Sequence, residues 1–149
     1  MRKTGLVFPM PVLFMNTTRK KFHKSERLCS QKIIGSLFDK GNVFYSGLFR
    51  VVWDISPAEI QYPAQVAFSI PKKNFRIAVT RNLLRRRMRE AYRNNKHTLY
   101  DLLIKENIQI IFIVIYRKNT VADFQTIENA MKEIFDKLKV LIREIGKKC

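Results

Sequence analysis

The sequence predicts an α+β protein: a single central β-sheet of about four strands packed with three helices. Three observations predict it. Segments with the two-residue period of half-buried strands alternate with segments of helical period. The run from Ile108 to Tyr116 is almost wholly apolar and β-branched, which marks a strand buried on both faces. The last stretch of the chain carries an unbroken apolar stripe at helical spacing.

The elements follow in order. Ser30 to Lys40 is predicted as a short helix, because Ile33, Ile34, Leu37 and Phe38 recur at helical spacing and Gly41 is a fitting stop. Val43 to Ile55 is predicted to be extended and broken near Ser46-Gly47. Within it Phe49, Val51, Trp53 and Ile55 alternate with Arg50, Val52 and Asp54. Ser56-Pro57 and Tyr62-Pro63 bound a loop. Val66 to Ile70 is the next strand, ended by Pro71, and Lys72 to Ile77 is a basic loop. A helix is expected from about Thr80 to Asn95, with His97 to Ile104 as a possible continuation. After the apolar strand comes a helix from about Asp123 to Ile145, striped by Phe124, Ile127, Met131, Ile134, Leu138, Leu141 and Ile145, with Gly146 as its stop. No internal repeat is visible.

The first 24 residues stand apart from this pattern. Gly5 to Met15 is apolar but interrupted by Pro9 and Pro11, and Arg19-Lys20-Lys21 follows where a signal peptide would carry a cleavage site. The stretch is too short to span a membrane. Residues 1–24 are therefore expected to be a disordered or non-native extension, with Met15 as an alternative start, and 25–149 to form the folded domain. Cys29 and Cys149 are far apart and no C-x-x-C occurs, so neither a zinc site nor a redox pair is signalled. Two lone thiols suit a reducing cytosol.

Charge narrows the function. Lys and Arg number 29 against 12 acids, a formal net charge of +17 in 149 residues. Such self-repulsion opposes compaction and points to a polyanionic partner: RNA, DNA or an anionic membrane surface. The excess gathers on one element. On a helical wheel that starts at Arg81, Arg85 falls at about 40°, Lys96 at about 60°, Arg89 at about 80°, Asn82 at about 100°, Arg93 at about 120° and Arg86 at about 140°. The opposite arc holds Ala91, Leu84 and Met88, with Tyr92 at its edge, and Arg87 lies off the basic stripe. One flank can thus pack on a sheet while the other offers guanidinium forks to phosphates. Glu90 is the one acid between Arg81 and Lys96, whereas solvated helix faces usually mix signs, as Lys132, Glu133, Asp136, Lys137 and Lys139 do. Lys72 and Lys73, on the loop before this helix, extend the same surface.

Here the sequence resembles the ribonuclease P protein family. The matching pieces are the strand Val66 to Ile70, Lys72-Lys73, Ala78-Val79, Arg81-Asn82, Arg85-Arg86, Arg89-Glu90 and Tyr92. Upstream, Arg27-Leu28, Leu37-Phe38-Asp39-Lys40-Gly41 and Phe49 also fit. The resemblance implies a two-layer sandwich with a left-handed β-α-β crossover, an exception to the usual right-handed rule. It implies a cytoplasmic ribonucleoprotein, an endoribonuclease that removes the 5′ leader from precursor tRNA. Its RNA subunit performs the cleavage with Mg2+, and its protein subunit is an accessory RNA-binding component. The partners implied are the catalytic RNA and precursor tRNA, with no membrane, no obligate protein partner and no organic cofactor. Lys72, Lys73, Arg81, Asn82, Arg85, Arg86, Arg89 and Arg93 would face RNA. A cleft between the first helix and the sheet would hold the leader strand, with Ile34, Phe38, Val52 and Ser69 at the matching positions. The chain departs from the family pattern at Ala67, where Gly is usual, and at Ile34 and Val52, where aromatics are. Phe38, Phe68 and Trp53 are the aromatic residues that could compensate.

No catalytic residue or protein-held metal is expected. His23 and His97 are isolated and read as surface residues, and no nucleophile, P-loop or zinc signature occurs. The alternative is another basic RNA- or DNA-binding protein of ribosomal type, with the arginine helix in a major groove. An autonomous ribonuclease would need a His, Lys or acid as general base.

Overall fold

The computed structural model describes residues 22 to 148. The elements are α1 (Gln31–Lys40), β1 (Asn42–Ser46), β2 (Phe49–Ile55), β3 (Ala64–Ser69), α2 (Ala78–Glu106), β4 (Ile110–Tyr116) and α3 (Phe124–Lys148). A short 3-10 turn, Lys24–Glu26, precedes them. The strands form one sheet in the order β1-β2-β4-β3. β1 and β2 make an antiparallel hairpin closed at Gly47, whose φ of +43° is costly for any residue with a Cβ. β4 runs antiparallel to β2 and parallel to β3, so the apolar strand is central as its sequence predicts. The parallel β3–β4 pair is joined through α2.

The helices divide between the faces of the sheet. α2 and α3 pack on the face lined by Phe49, Val51, Trp53, Val66, Ile110, Phe112, Val114 and Tyr116. α1 covers part of the other face, where Leu28 and Leu37 close over Val52, Ile111 and Ile113. Tyr92 sits at the centre of the larger core, fully buried, with the rings of Phe22, Phe68, Tyr100, Phe112 and Phe135 all within 6.3 Å of its centroid. Aromatic pairs at such distances contribute about 0.5–1.5 kcal/mol each beyond the burial of their area.

Two helices differ from the sequence expectation. α2 runs unbroken to Glu106. Asn95, a weak helix former, bonds back to Ala91 O at 2.8 Å and across to Glu128 Oε2 at 3.2 Å, so its side chain does not compete with the helix. The helix ends where Asn107 takes the left-handed conformation (φ 56°, ψ 47°) and Ile108 N–H bonds to Leu103 O. α3 passes through Gly146 instead of stopping there. A Cβ at Gly146 would meet only the Glu106 carboxylate, the end of a flexible side chain that can swing aside, so the glycine is not required by the packing. Phe22, assigned above to the extension, packs on Phe68 at 6.0 Å and so belongs to the folded body. His23 and Lys24 belong to it too, at the start of the 3-10 turn; the expectation for residues 1–21, and Cys149, lie outside the described residues, and Cys29 is exposed.

Asp123 caps α3 by accepting a bond from Thr126 N–H at 2.9 Å. Its bonds to Thr126 hold the carboxyl below its ordinary value of 3.8. A depressed folded pKa contributes stability above the unfolded value, and that contribution is lost as pH falls through the folded value. D123A is therefore expected to have a lower urea midpoint than wild type at neutral pH, with the two midpoints converging below pH 3.8. A gap that persists unchanged in acid would mean that the cap acts through its shape and not its charge.

Candidate nucleic-acid interface

The polar flank of α2 carries the site. Leu84, Met88 and Ala91 are buried against the sheet and α3, which turns Arg85, Arg86 and Arg89 outward; Arg86 and Arg89 are exposed and Arg85 half-buried. None of the three meets a carboxylate among the described residues. Asn82 is exposed, and its Oδ1 accepts from Arg85 Nη1 at 3.0 Å, which holds that fork in place. Arg89 is held below the ordinary arginine pKa, by partial burial first and then by repulsion from Arg27 and Arg85. Four stripe members are thus brought together as the wheel predicts.

The remaining predicted residues lie elsewhere on α2 and on the loop before it. Arg81 is half-buried, and its Nη1 donates to Phe75 O at 2.8 Å and Arg76 O at 2.9 Å. It therefore clamps the basic loop onto the first turn of α2, whose N-cap, Ile77, offers no side-chain bond. Lys72 and Lys73 are exposed on the turn after β3, which is closed by Asn74 N–H to Pro71 O and anchored by buried Phe75 against Tyr116. Arg93 is half-buried and paired with Glu90 one turn earlier; exposed pairs of this kind contribute about 0–1 kcal/mol and open readily. Arg87, off the stripe, donates to Ala122 O at 2.6 Å and ties the loop before α3.

Lys96 leaves the stripe altogether. It is 7% exposed, and its Nζ lies 2.6 Å from Glu26 Oε1. The same carboxylate, fully buried, accepts from Tyr100 Oη at 2.7 Å and from His23 N–H at 2.7 Å. Tyr92 Oη shares a further 2.7 Å bond with Tyr100 Oη. Burial pushes both phenols up and Lys96 down, although the Glu26 bond and charge pull Lys96 the other way. The physical reason for the correction is that the 3-10 turn covers this flank of α2, so the angle that faces solvent at Arg89 faces protein at Lys96 and Tyr100. His23 stacks on Tyr62 at 5.2 Å and is half-buried, while His97 is exposed.

The residues expected to line a cleft lie on α1 and on the second face of the sheet. Phe38 is 47% exposed, and Ile34 and Ser69 are half-buried. Val52 has no exposed surface: it lies under Leu37, and a Cβ added to Gly41 would come within 2.9 Å of its Cγ1. Val52 is floor and not lining, which corrects its expected place. Trp53 and Phe68 point into the α2–α3 core, so neither replaces an aromatic on the α1 face of the sheet. Beyond α1, strand register aligns Tyr45, Arg50, Ile115 and Ser69 in one row. Tyr45 is 52% exposed, with the Arg117 guanidinium 4.7 Å from its ring centre. Nothing in the sequence pattern singled out Tyr45, since its exposure follows from the pairing of β1 at the sheet edge. On the other side of α1, a cavity of about 240 Å³ is lined by Lys32, Ile33, Ser36, Leu37, Asp54, Ile55, Pro57 and Ile111.

An α+β domain with unneutralised guanidinium groups on one helix flank, beside a half-covered sheet face, defines a basic protein built to hold a polyanion. The ribonuclease P family model matches residues 22–139. The chain is 37% identical over 123 residues to the ribonuclease P protein component of Porphyromonas gingivalis, covering 83% of this chain and 85% of that protein. The protein component of Chlorobaculum tepidum is 32% identical over 116 residues, 73% of this chain and 75% of that one. Among solved structures, the fold matches the Staphylococcus aureus RNase P protein with a TM-score of 0.63 at 23% identity, over 78% of this chain and 98% of that one. The Thermotoga maritima RNase P protein matches with a TM-score of 0.59 at 21% identity, over 75% and 96% of the two chains. The chain belongs to the ribonuclease P protein family, whose function is the processing of tRNA 5′ ends.

Proposed function

We propose that this chain is the cytoplasmic accessory subunit that docks on the ribonuclease P RNA through α2 and lays the 5′ leader of precursor tRNA along the α1 face of the sheet. The observation that carries the proposal is the row Arg85, Arg86 and Arg89, which meets no carboxylate among the described residues. In the free protein these like charges repel, and a phosphate backbone relieves the repulsion while releasing counterions. Each guanidinium offers a fork that matches phosphate oxygens, and Asn82 and the Arg81 clamp limit how far the face can rearrange. The exposed ring of Phe38 offers a stacking platform, typically contributing about 1–3 kcal/mol per base, with Ile34 one turn earlier on the same helix.

Magnesium would supply the attacking hydroxide and neutralise the scissile phosphate. Among the described residues no group of three or more His, Cys, Asp or Glu side chains gathers at ligand spacing. By the family resemblance the ion would be held mainly by the RNA subunit, and the part proposed for the protein is to bind and to orient. Among the described residues no helix is long and apolar enough to cross a membrane.

Reconstitution tests the proposal. The protein, ribonuclease P RNA and precursor tRNA are mixed at low magnesium, and leader removal is followed. Stimulation by the protein is the expected result. Cleavage without the RNA would make the chain itself a nuclease, and tight duplex-DNA binding without stimulation would make it a different nucleic-acid binder.

A further inference from the structure

The extended segment before α1 is held by more polar chemistry than its length requires. Leu28 N–H bonds to Val66 O at 2.9 Å, Arg27 forms a parallel bridge with Val66, and Gln65 Nε2 donates to Ser25 O at 3.1 Å, so the segment lies along the open edge of β3. Glu26 then enters the core to meet Lys96, Tyr100 and its own turn. A buried ion pair is a poor way to gain stability, because desolvation offsets most of the attraction; its best-attested use is to fix register. Register decides much here. Glu26 closes the 3-10 turn and Arg27 is the first extended residue after it, so the buried pair fixes which of these two neighbouring side chains enters the core. In the observed register the acid is inside and the cation outside.

Arg27 is exposed, with its guanidinium 5.6 Å from the Phe22 ring centre, and Phe22 packs at 5.5 Å on Tyr92, the residue between Ala91 and Arg93 on α2. Among the described residues no carboxylate pairs with Arg27. Through Phe22, Arg27 is brought to the turn of α2 that follows Arg89, and the repulsion between the two cations opposes folding of the free protein. We propose that Arg27 is a further phosphate-binding residue, and that the Glu26–Lys96 pair is the positioning device that sets it beside the arginine face of α2. The proposal rests on the RNA-docking reading of α2 and extends that surface from the helix onto the sheet edge.

Binding of the ribonuclease P RNA, measured against salt concentration, tests it with wild type, R27A, R27K, E26Q and R86A/R89A. R27A is expected to melt as wild type does and to flatten the slope of log affinity against log salt by about one; R27K is expected to keep the slope. E26Q is expected to lose the same increment, and to lose nothing further in an R27A background. A wild-type slope for R27A, alongside a flattened slope for R86A/R89A, overturns the proposal and leaves the helix reading standing. If neither variant flattens the slope, both readings fall. If R27A flattens it and a folded E26Q does not, Glu26 is not the positioning group. Should E26Q fail to fold, R27A and R27K still decide the role of Arg27.

Discussion

Replacing Arg86 and Arg89 together with alanine is expected to weaken binding of the ribonuclease P RNA by roughly 2–4 kcal/mol and to flatten the salt slope by about two. The magnitude follows from the geometry. Both side chains are exposed and free of carboxylates among the described residues, so neither needs to break an internal bond before it meets a phosphate. Each phosphate neutralised releases counterions and contributes close to one unit of slope. Stability should be nearly unchanged, since surface substitutions away from caps and networks usually lie within about 0.5 kcal/mol of wild type. A titration with an unaltered slope would remove the α2 face from the binding account, whatever happened to the affinity at one salt concentration. Arg93 makes a useful contrast: its pairing with Glu90 must open first, so R93A should have a smaller effect than either exposed arginine.

The second large effect is on folding. K96A is expected to destabilise the protein by about 3–5 kcal/mol, because it leaves the Glu26 carboxylate buried with only a phenol and a backbone amide as partners. Replacing both members, as in E26L/K96M, should recover much of that loss, since a buried ion pair and a packed apolar pair of similar volume are often close in stability. Urea unfolding of the two variants separates these cases. A K96A protein within 0.5 kcal/mol of wild type, on the scale of ordinary surface substitutions, would mean that the carboxylate is solvated by some other route.

The contrast between Arg89 and Lys96 shows where the sequence is legible. Both fall on one stripe of the wheel, and local spacing alone treats them alike. Arg89 stays in solvent, while Lys96 meets an acid seventy positions away in the chain, as the separation of the hydrogen-bonded pair records. Periodicity reports which residues share a flank of an element. It does not report which other segment returns to cover that flank. Val52 is a similar case. Its alternation with Phe49, Val51 and Trp53 put it on the second face of the sheet, but only the docking of α1 determines that it is covered there. The central strand was readable because burial on both faces leaves an almost wholly apolar run at Ile110–Tyr116. Gly146 misled because a glycine near the end of an apolar stripe resembles a stop, whereas the helix runs through it to Lys148.

The length of α2 has a thermodynamic corollary. Its 29 residues form one rod, with the outward arginines in its first half and Leu99, Leu102 and Leu103 locked into the core in its second. A ligand that grips one end of such a rod must favour the state in which the other end is seated. Saturation with RNA should therefore protect the whole domain against heat and proteases, by about 2.7 kcal/mol at a hundredfold excess over Kd. A variant too weak to persist alone could then survive as a ribonucleoprotein, and its abundance in the cell would follow the supply of its RNA.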